Sequence, residues 1–378
     1  TGGSLFLETS AQRMDLFSEH KYSWQTSPIM IGYRQSLFGY NSLKWDKRIE
    51  PVRYQEAKKN YVETLELVSA NAINKFFALA TAQSNYDIAS FNYANADTLY
   101  RYAQGRYNIG TITENEMLQL ELNRLTEETN RMNARIEMDN CMQELRSYLG
   151  IQEEREIRVR VSSRIPNFSI NLNEALALAY ENSPDIQTMK RRKLESESAV
   201  ARARANAGLK ADIYLRFGLT QTADKLPEAY RNLLDQQYVS LSISLPILDW
   251  GRGKGQVRVA RSNRDLVYTQ VEQSRTDFEL NVRKLVKQFN LQTQRVRIAA
   301  RTDETAQRRN EVARKLYILG KSTILDLNAS ISEKDSARRN YVSALYNYWS
   351  LYYTLRSMTL YDFESNKLLT EDYNLLIE

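Results

Sequence analysis

The chain has 378 residues, a length that allows two or three ordinary domains. Its 52 Lys and Arg against 46 Asp and Glu leave a net charge of +6, too balanced to argue for nucleic acid as a partner. With one Cys (Cys141) and one His (His20), an internal disulfide, a cysteine-based zinc or iron–sulfur site and a histidine-dependent triad are excluded, so no metal or cofactor is expected. Only 13 Gly and 6 Pro punctuate the sequence, which predicts long uninterrupted elements, and 24 Tyr ask for surroundings that are half apolar and half wet. There is no run of about 18 apolar residues that could cross a membrane as a helix.

The segment 1–45 reads as a first pair of strands. Leu5 and Leu7 alternate with Glu8, and Ile29, Ile31 and Tyr33 alternate with Met30, Gly32 and Arg34, with His20 exposed in the loop between. Trp24, Tyr40 and Trp45 lie near the strand ends and suit an interfacial girdle. Over 46–150 the spacing predicts a helix from Asp46 to Arg106, ~90 Å long, and a return helix from Thr113 to Leu149, ~55 Å long. The first carries a heptad: Leu65, Ala72, Leu79, Tyr86, Tyr93, Tyr100 and Tyr107 alternate with Val68, Lys75, Ala82, Ala89, Ala96 and Ala103. A seam of large Tyr against small Ala suits a wall of helices around a wet interior. On the return helix Cys141 shares an apolar seam with Ala134, Met138 and Leu145 and is expected to be a buried small hydrophobe.

The segment 151–183 reads as a sideways excursion holding Val159, Val161, Pro166 and a short helix, Leu172–Glu181, with Asn171 as its N-cap. A helix over 184–207 adds ~36 Å. Its basic run Lys190–Lys193, beside Glu195 and Glu197, reads as a solvated face. In 208–255 a second strand pair follows: Ile213, Leu215, Phe217 and Leu219, then Val239, Leu241, Ile243, Leu245 and Ile247 alternating with serines, with Tyr238 and Trp250 as further interfacial aromatics. The string Gly251-Arg-Gly-Lys-Gly255 lacks the lysine–serine pair of a phosphate loop and reads as a strand-to-helix bend. A second long helix and its return occupy 256–360, and 361–378 is a tail.

The second half repeats the first at a shift of about 210 residues, sustained over about 80 residues without a gap. Tyr107-Asn108-Ile109-Gly110 falls on Tyr317-Ile318-Leu319-Gly320, Ala89, Ala96 and Ala103 fall on Ala299, Ala306 and Ala313, and Glu116 falls on Asp326. Strands of this pattern fit either a membrane barrel or an ordinary half-buried antiparallel sheet. If they enter lipid, four strands from one chain leave unpaired edges, and closure by further copies of the chain is required. At the two hairpin turns glycine supplies the left-handed cap, while exposed Ile and Leu there need a reason. Glu116 and Asp326 suit the first turn of a helix, where the dipole favours an acid.

In this order and spacing the features resemble the TolC-like outer-membrane efflux family. The resemblance is carried by the duplicated unit, the two Tyr-x-x-Gly turns, Leu172-Asn-Glu-Ala-Leu-Ala-Leu-Ala-Tyr-Glu-Asn-Ser-Pro184, Ser244-Leu-Pro-Ile-Leu-Asp-Trp-Gly251 and Leu37-Phe-Gly-Tyr-Asn41. It implies a mainly α fold with a small β part. Long antiparallel helices would form a periplasmic α-barrel, and four strands per protomer would contribute to a trimeric 12-stranded outer-membrane β-barrel. It also implies a passive exit duct of a tripartite efflux pump or type I secretion system, in the outer membrane of a Gram-negative bacterium. The implied partners are two further copies, outer-membrane lipid, a periplasmic adaptor and, through it, an inner-membrane transporter. It places a short helix pair and a signal peptide or lipidated Cys before Thr1. On the family's pattern Asp326, with Glu116 as its equivalent, would be an entrance carboxylate, and Tyr317 and Tyr107 constriction aromatics. The second acidic position falls on Ala329 and a latch arginine on Ser322, implying a different latch. Asn108, Ile109, Gly110 and Thr111, with Ile318, Leu319, Gly320 and Lys321, would be the adaptor-docking tips. The alternative, of another class, is a soluble coiled-coil scaffold without a pore. No nucleophile–base pair points to an enzyme.

Overall fold

The computed structural model describes residues 2–18, 20–153, 156–162, 165–319 and 321–369. The chain forms two compact units, one from residues 1–58 and 184–277, the other from 59–183 and 278–378.

The first unit holds a four-stranded antiparallel sheet in the order β1 (Ser4–Leu16), β2 (Lys21–Ser36), β3 (Lys210–Ala223), β4 (Leu234–Ser244). Strict alternation sorts its residues between the irregularities at Glu8/Ser10 and Thr26/Ile29. One face carries Leu5, Leu7, Ile29, Ile31, Ile213, Leu215, Phe217, Val239, Leu241 and Ile243. The other carries Phe6, Glu8, Met30, Arg34, Tyr214, Arg216, Tyr238 and Ser240, as the pairs Phe6–Gly32, Gly32–Arg216 and Arg216–Tyr238 require. On this second face the Phe6 ring lies over Gly32 and Met30 over Gly218, where any side chain would collide with them. β4 ends at Ser244, so Leu245 and Ile247 are not strand residues as expected; Pro246 has no N–H to give a ladder.

Helices α1 (Ser42–Asn108), α4 (Pro184–Ala207) and α5 (Arg252–Ile318) enter this unit, with α4 between the other two. Asn41 accepts the Lys44 N–H and starts α1. The Asp249 carboxylate accepts the N–H groups of Gly251 at 2.9 Å and Gly253 at 2.7 Å. The glycine string therefore divides: Gly251, at φ +81°, makes the bend, and Gly253 and Gly255 already belong to the helix. Its amides satisfy the chain's own carboxylate, as expected of a bend. Lys190 and Arg192 of the basic run are exposed, as a solvated face requires, but Arg191 departs from that reading. Arg191 is turned inward to Glu56 on α1, because α4 is flanked on both sides and lends that face to packing. Lys193 reaches Glu272 and Tyr268 donates to Glu197, tying α4 to α5.

The second unit sets α2 (Glu114–Tyr148) against one side of α1 and α6 (Ile324–Thr359) against the other, with α5 beyond α6. The repeat is visible in the helix bounds: from Ser42 to Arg252 and from Glu114 to Ile324 is the same 210 positions. Leu79, Ala82, Ala89, Ala96 and Ala103 are buried as the heptad predicts, but Val68 is 50% exposed. Toward that end the buried face passes instead through Val62, Glu66 and Phe77, because Glu66 pairs with Arg356 of α6 and turns the contact face with it. The seam tyrosines are covered by arginines of α2: Arg135 over Tyr86, Arg131 over Tyr93 at 4.1 Å and Arg124 over Tyr100. Cys141 is half-buried at the edge of the Leu79–Met138–Leu145 cluster rather than inside it, its thiol directed at Glu137. Burial holds that thiol above its ordinary range.

Two amides pin the excursion that carries α3 (Leu172–Asn182). Gln83 donates to the Ile157 carbonyl and accepts the Val159 N–H, and Asn290 does the same to both backbone groups of Ile170. Asn171 caps α3 through the N–H groups of Asn173 and Glu174. Beside it Phe289 packs on Phe168, Tyr348 and Tyr352, and burial pushes the Tyr348 hydroxyl up to about 12. α6 ends at Leu360 in the left-handed conformation and a small hairpin, β5 (Tyr361–Asp362) with β6 (Lys367–Leu368), follows. The tail beyond 369 lies outside the described residues.

Candidate functional site

Two places in the chain leave apolar side chains exposed. The first is the apolar sheet face. Leu7 on β1 is 76% exposed, Ile29 on β2 57% and Val239 on β4 69%, so three of the four strands of this face leave large aliphatic groups uncovered. Such a face is costly in water and suits hydrocarbon. β1 and β4 are open edges, and among the described residues no further strand of this unit pairs with them.

Of the five aromatics assigned to a girdle, Trp250 is fully out in solvent, and Trp24 and Trp45 are half-buried beside Arg13 and Arg48. Tyr40 is instead a packing residue: its hydroxyl meets Ser198 of α4 at 2.5 Å and Arg202 covers its ring. Tyr238 sits mid-strand on the polar face, opposite Arg216 and edge-on to Tyr214, because it shares the parity of Ser240 and not of Val239. Neither of these two can meet lipid from the apolar face.

The second place is the pair of helix-hairpin tips. At the first, the Thr111 N–H reaches back to the Arg106 carbonyl and the Gly110 N–H to Tyr107, a helix-terminating turn that puts Gly110 at φ +76°. The second repeats the longer bond, from Lys321 to Leu316; Gly320 lies outside the described residues. Ile109 is 74% exposed and Leu319 67%, with Asn108, Thr111, Ile318 and Lys321 also exposed.

Past each turn the same cap is built. Thr113 and Glu116 exchange hydrogen bonds at the start of α2, and Thr323 and Asp326 do so at the start of α6. Hydrogen bonds from the Thr323 hydroxyl and backbone, and from Ser322, hold the Asp326 carboxyl below its ordinary range, so it stays charged. The two acids are equal as caps but differ in what they face. A groove of about 630 Å³ runs between the two hairpins, and Glu116 and Tyr317 line it together with Tyr102, Arg106, Asn310 and Arg314. Asp326 and Tyr107 do not line it. Tyr102, Arg106 and Arg314 were not singled out in the sequence, since a groove assembled from segments some 200 residues apart leaves no local signal.

Among the described residues no cluster of His, Cys, Asp or Glu could hold a metal ion, and no helix is long and apolar enough to cross a membrane.

The sequence pattern of the family described as outer membrane efflux protein matches residues 175–359. No curated protein matches the sequence. The fold is similar to that of the CmeC outer membrane channel of Campylobacter jejuni, with a TM-score of 0.79 and 15% identity, over 99% of this chain and 80% of that one. It is also similar to the outer membrane protein VceC of Vibrio cholerae (TM-score 0.75, 15% identity, 95% and 87% covered). A third likeness is to the MtrE outer membrane channel of Neisseria gonorrhoeae in its open state (TM-score 0.75, 14% identity, 98% and 81% covered).

Proposed function

We propose that this chain is an outer membrane efflux protein, a reading supported by the match of residues 175–359 to that family's pattern, and that three copies close a 12-stranded barrel in the outer membrane and act as a passive exit duct of an efflux pump. The observation that carries this is the sheet: one face of uncovered aliphatic side chains, one polar face, and two unpaired edges. Open edges cannot stand in hydrocarbon, and copies of the same sheet are the simplest means of pairing them. The apolar face then meets lipid and the polar face meets water in the lumen. A soluble scaffold would leave the apolar face in water.

The family is one of ducts and not of enzymes, and in this reading the chain performs no chemistry of its own. Energy comes from an inner-membrane transporter through a periplasmic adaptor. The tips supply the adaptor's contact: exposed Ile109, Ile318 and Leu319 at the turns, and between the hairpins a groove of mixed aromatic and charged lining. Asp326, kept charged by its cap, supplies a ring of three carboxylates at the entrance, which favours cations.

Imaging of the detergent-purified protein together with conductance in planar bilayers tests the duct. A threefold ring with a continuous lumen and discrete conductance steps are expected. A monomer whose apolar sheet face is covered by its own chain, with silent bilayers, would refute it.

A further inference from the structure

The polar face of the sheet holds a cluster that the duct reading does not require. Phe6 stacks on Tyr214 with centroids 5.8 Å apart, Tyr214 meets Tyr238 at 6.0 Å, and the Arg216 guanidinium lies 5.8 Å from the Tyr238 centroid. Three aromatic rings from three strands thus form a row that ends on one cation. Gly32 and Gly218, the cross-strand and next same-face neighbours of Arg216, make room for the Phe6 ring and the Met30 side chain beside it.

Arg216 has no carboxylate partner among the described residues, and its Nε is buried without a hydrogen-bond acceptor. Gln236, diagonal to it on the same face, has a buried Oε1 without a donor. Arg34, two residues beyond Gly32 along β2 and on the same face, is exposed and also without an ion pair among the described residues. The acids of this face are placed apart from Arg216: Glu8 is opposite Met30, and Asp212 is opposite Ser36 and Ser242. A buried guanidinium N–H without an acceptor costs free energy unless something supplies one. Water can do so; a planar anion can do so and also stack on the rings.

We propose that Arg216, Tyr214, Tyr238 and Phe6 form a station on the lumenal face of the barrel for ring compounds bearing a carboxylate or sulfonate. This rests on the duct reading, which puts the polar face in the lumen. The guanidinium takes the anionic group, and the tyrosine rings take the planar body. Contacts of this kind hold cargo briefly, as passage requires.

The test is single-channel recording of the full-length protein in planar bilayers, with 1-naphthalenesulfonate as probe, and methanesulfonate and 2-naphthol as the charge-only and ring-only controls. The expected result is interruption of the current by 1-naphthalenesulfonate at concentrations about tenfold below either control, and a further rise of about tenfold in the blocking concentration for Arg216→Gln. Tyr238→Leu weakens the block while keeping the charge. Arg204→Gln, on the exposed side of α4, leaves it unchanged. If Arg216→Gln fails to insert, Arg216→Lys, which keeps the charge without the planar group, is expected to weaken the block as well. Equal block by methanesulfonate, or wild-type block in the Arg216 and Tyr238 variants, overturns the station while leaving the duct intact. Bilayers that never conduct refute the duct and the station with it.

Discussion

Replacing Glu56 by Gln isolates the ion pair that ties α1 to α4. The carboxylate accepts Arg191 Nε at 2.6 Å and Nη2 at 3.0 Å, and Thr188 Oγ1 at 2.9 Å. Its side chain is 11% exposed and that of Arg191 24%, so solvent screens the pair only in part. Removing one partner of a fully buried pair costs about 3–5 kcal/mol. Here Arg191 keeps Glu195, which accepts Nη1 at 3.0 Å, so a loss of about 2 kcal/mol is expected at neutral pH. The acid dependence follows from the same contact. Hydrogen bonding from Arg191 holds the Glu56 carboxyl below its ordinary value of 4.5. The folded pKa is therefore below the unfolded one. The stabilisation is complete above the unfolded value and is lost as pH falls through the folded one. The assay is thermal unfolding in detergent, followed by circular dichroism, for wild type, Glu56→Gln, Arg191→Met and the double variant. Glu56→Gln should melt lower at neutral pH and lose less on acidification below about pH 4.5, and the double variant should show coupling of about 2 kcal/mol. Unchanged melting at neutral pH, or an acid dependence equal to wild type, would refute the reasoning.

Phe289→Ala removes a fully buried ring packed on Phe168, Tyr348 and Tyr352, and should destabilise by about 3–5 kcal/mol in the same melting assay, with Phe289→Leu well below that. Gly110→Val forces a branched side chain to φ +76° and should cost about 1–2 kcal/mol locally, read as faster proteolytic nicking at the first tip. Asp326→Asn should lower cation selectivity, measured as reversal potential in a salt gradient. In the wild type that selectivity should persist below the ordinary aspartate value of 3.8, since the cap lowers the pKa. Unchanged reversal potentials would remove Asp326 from the entrance.

Periodicity exposed most of the fold because both of its periods run unbroken for long stretches. The 3.5-residue seam marked Leu79, Ala82 and Ala89 as buried, and the period of two sorted Val239 from Ser240. Local chemistry announced Asn171 as a cap and Gly110 as a turn. What periodicity could not show is which strand position meets which. Arg216 and Tyr238 become neighbours only through the β3–β4 register, and Tyr238 consequently moved from an assumed girdle to the polar face. The arginines over the seam tyrosines were likewise invisible, since Arg124, Arg131 and Arg135 look like any solvated stripe until α2 is laid on α1. The inward turn of Arg191 was missed for the same reason: a charge run reveals its composition and not its neighbours.

The bare rims of β1 and β4 also bear on how the protein comes into being. A newly made chain carries two sticky selvedges and a greasy panel that no other strand of its own sheet can hem, so its lone form is a hazard to itself. In the proposed barrel, folding of the sheet and encounter with its copies become a single concentration-dependent event, and a protective escort in transit would be of most use to these four strands.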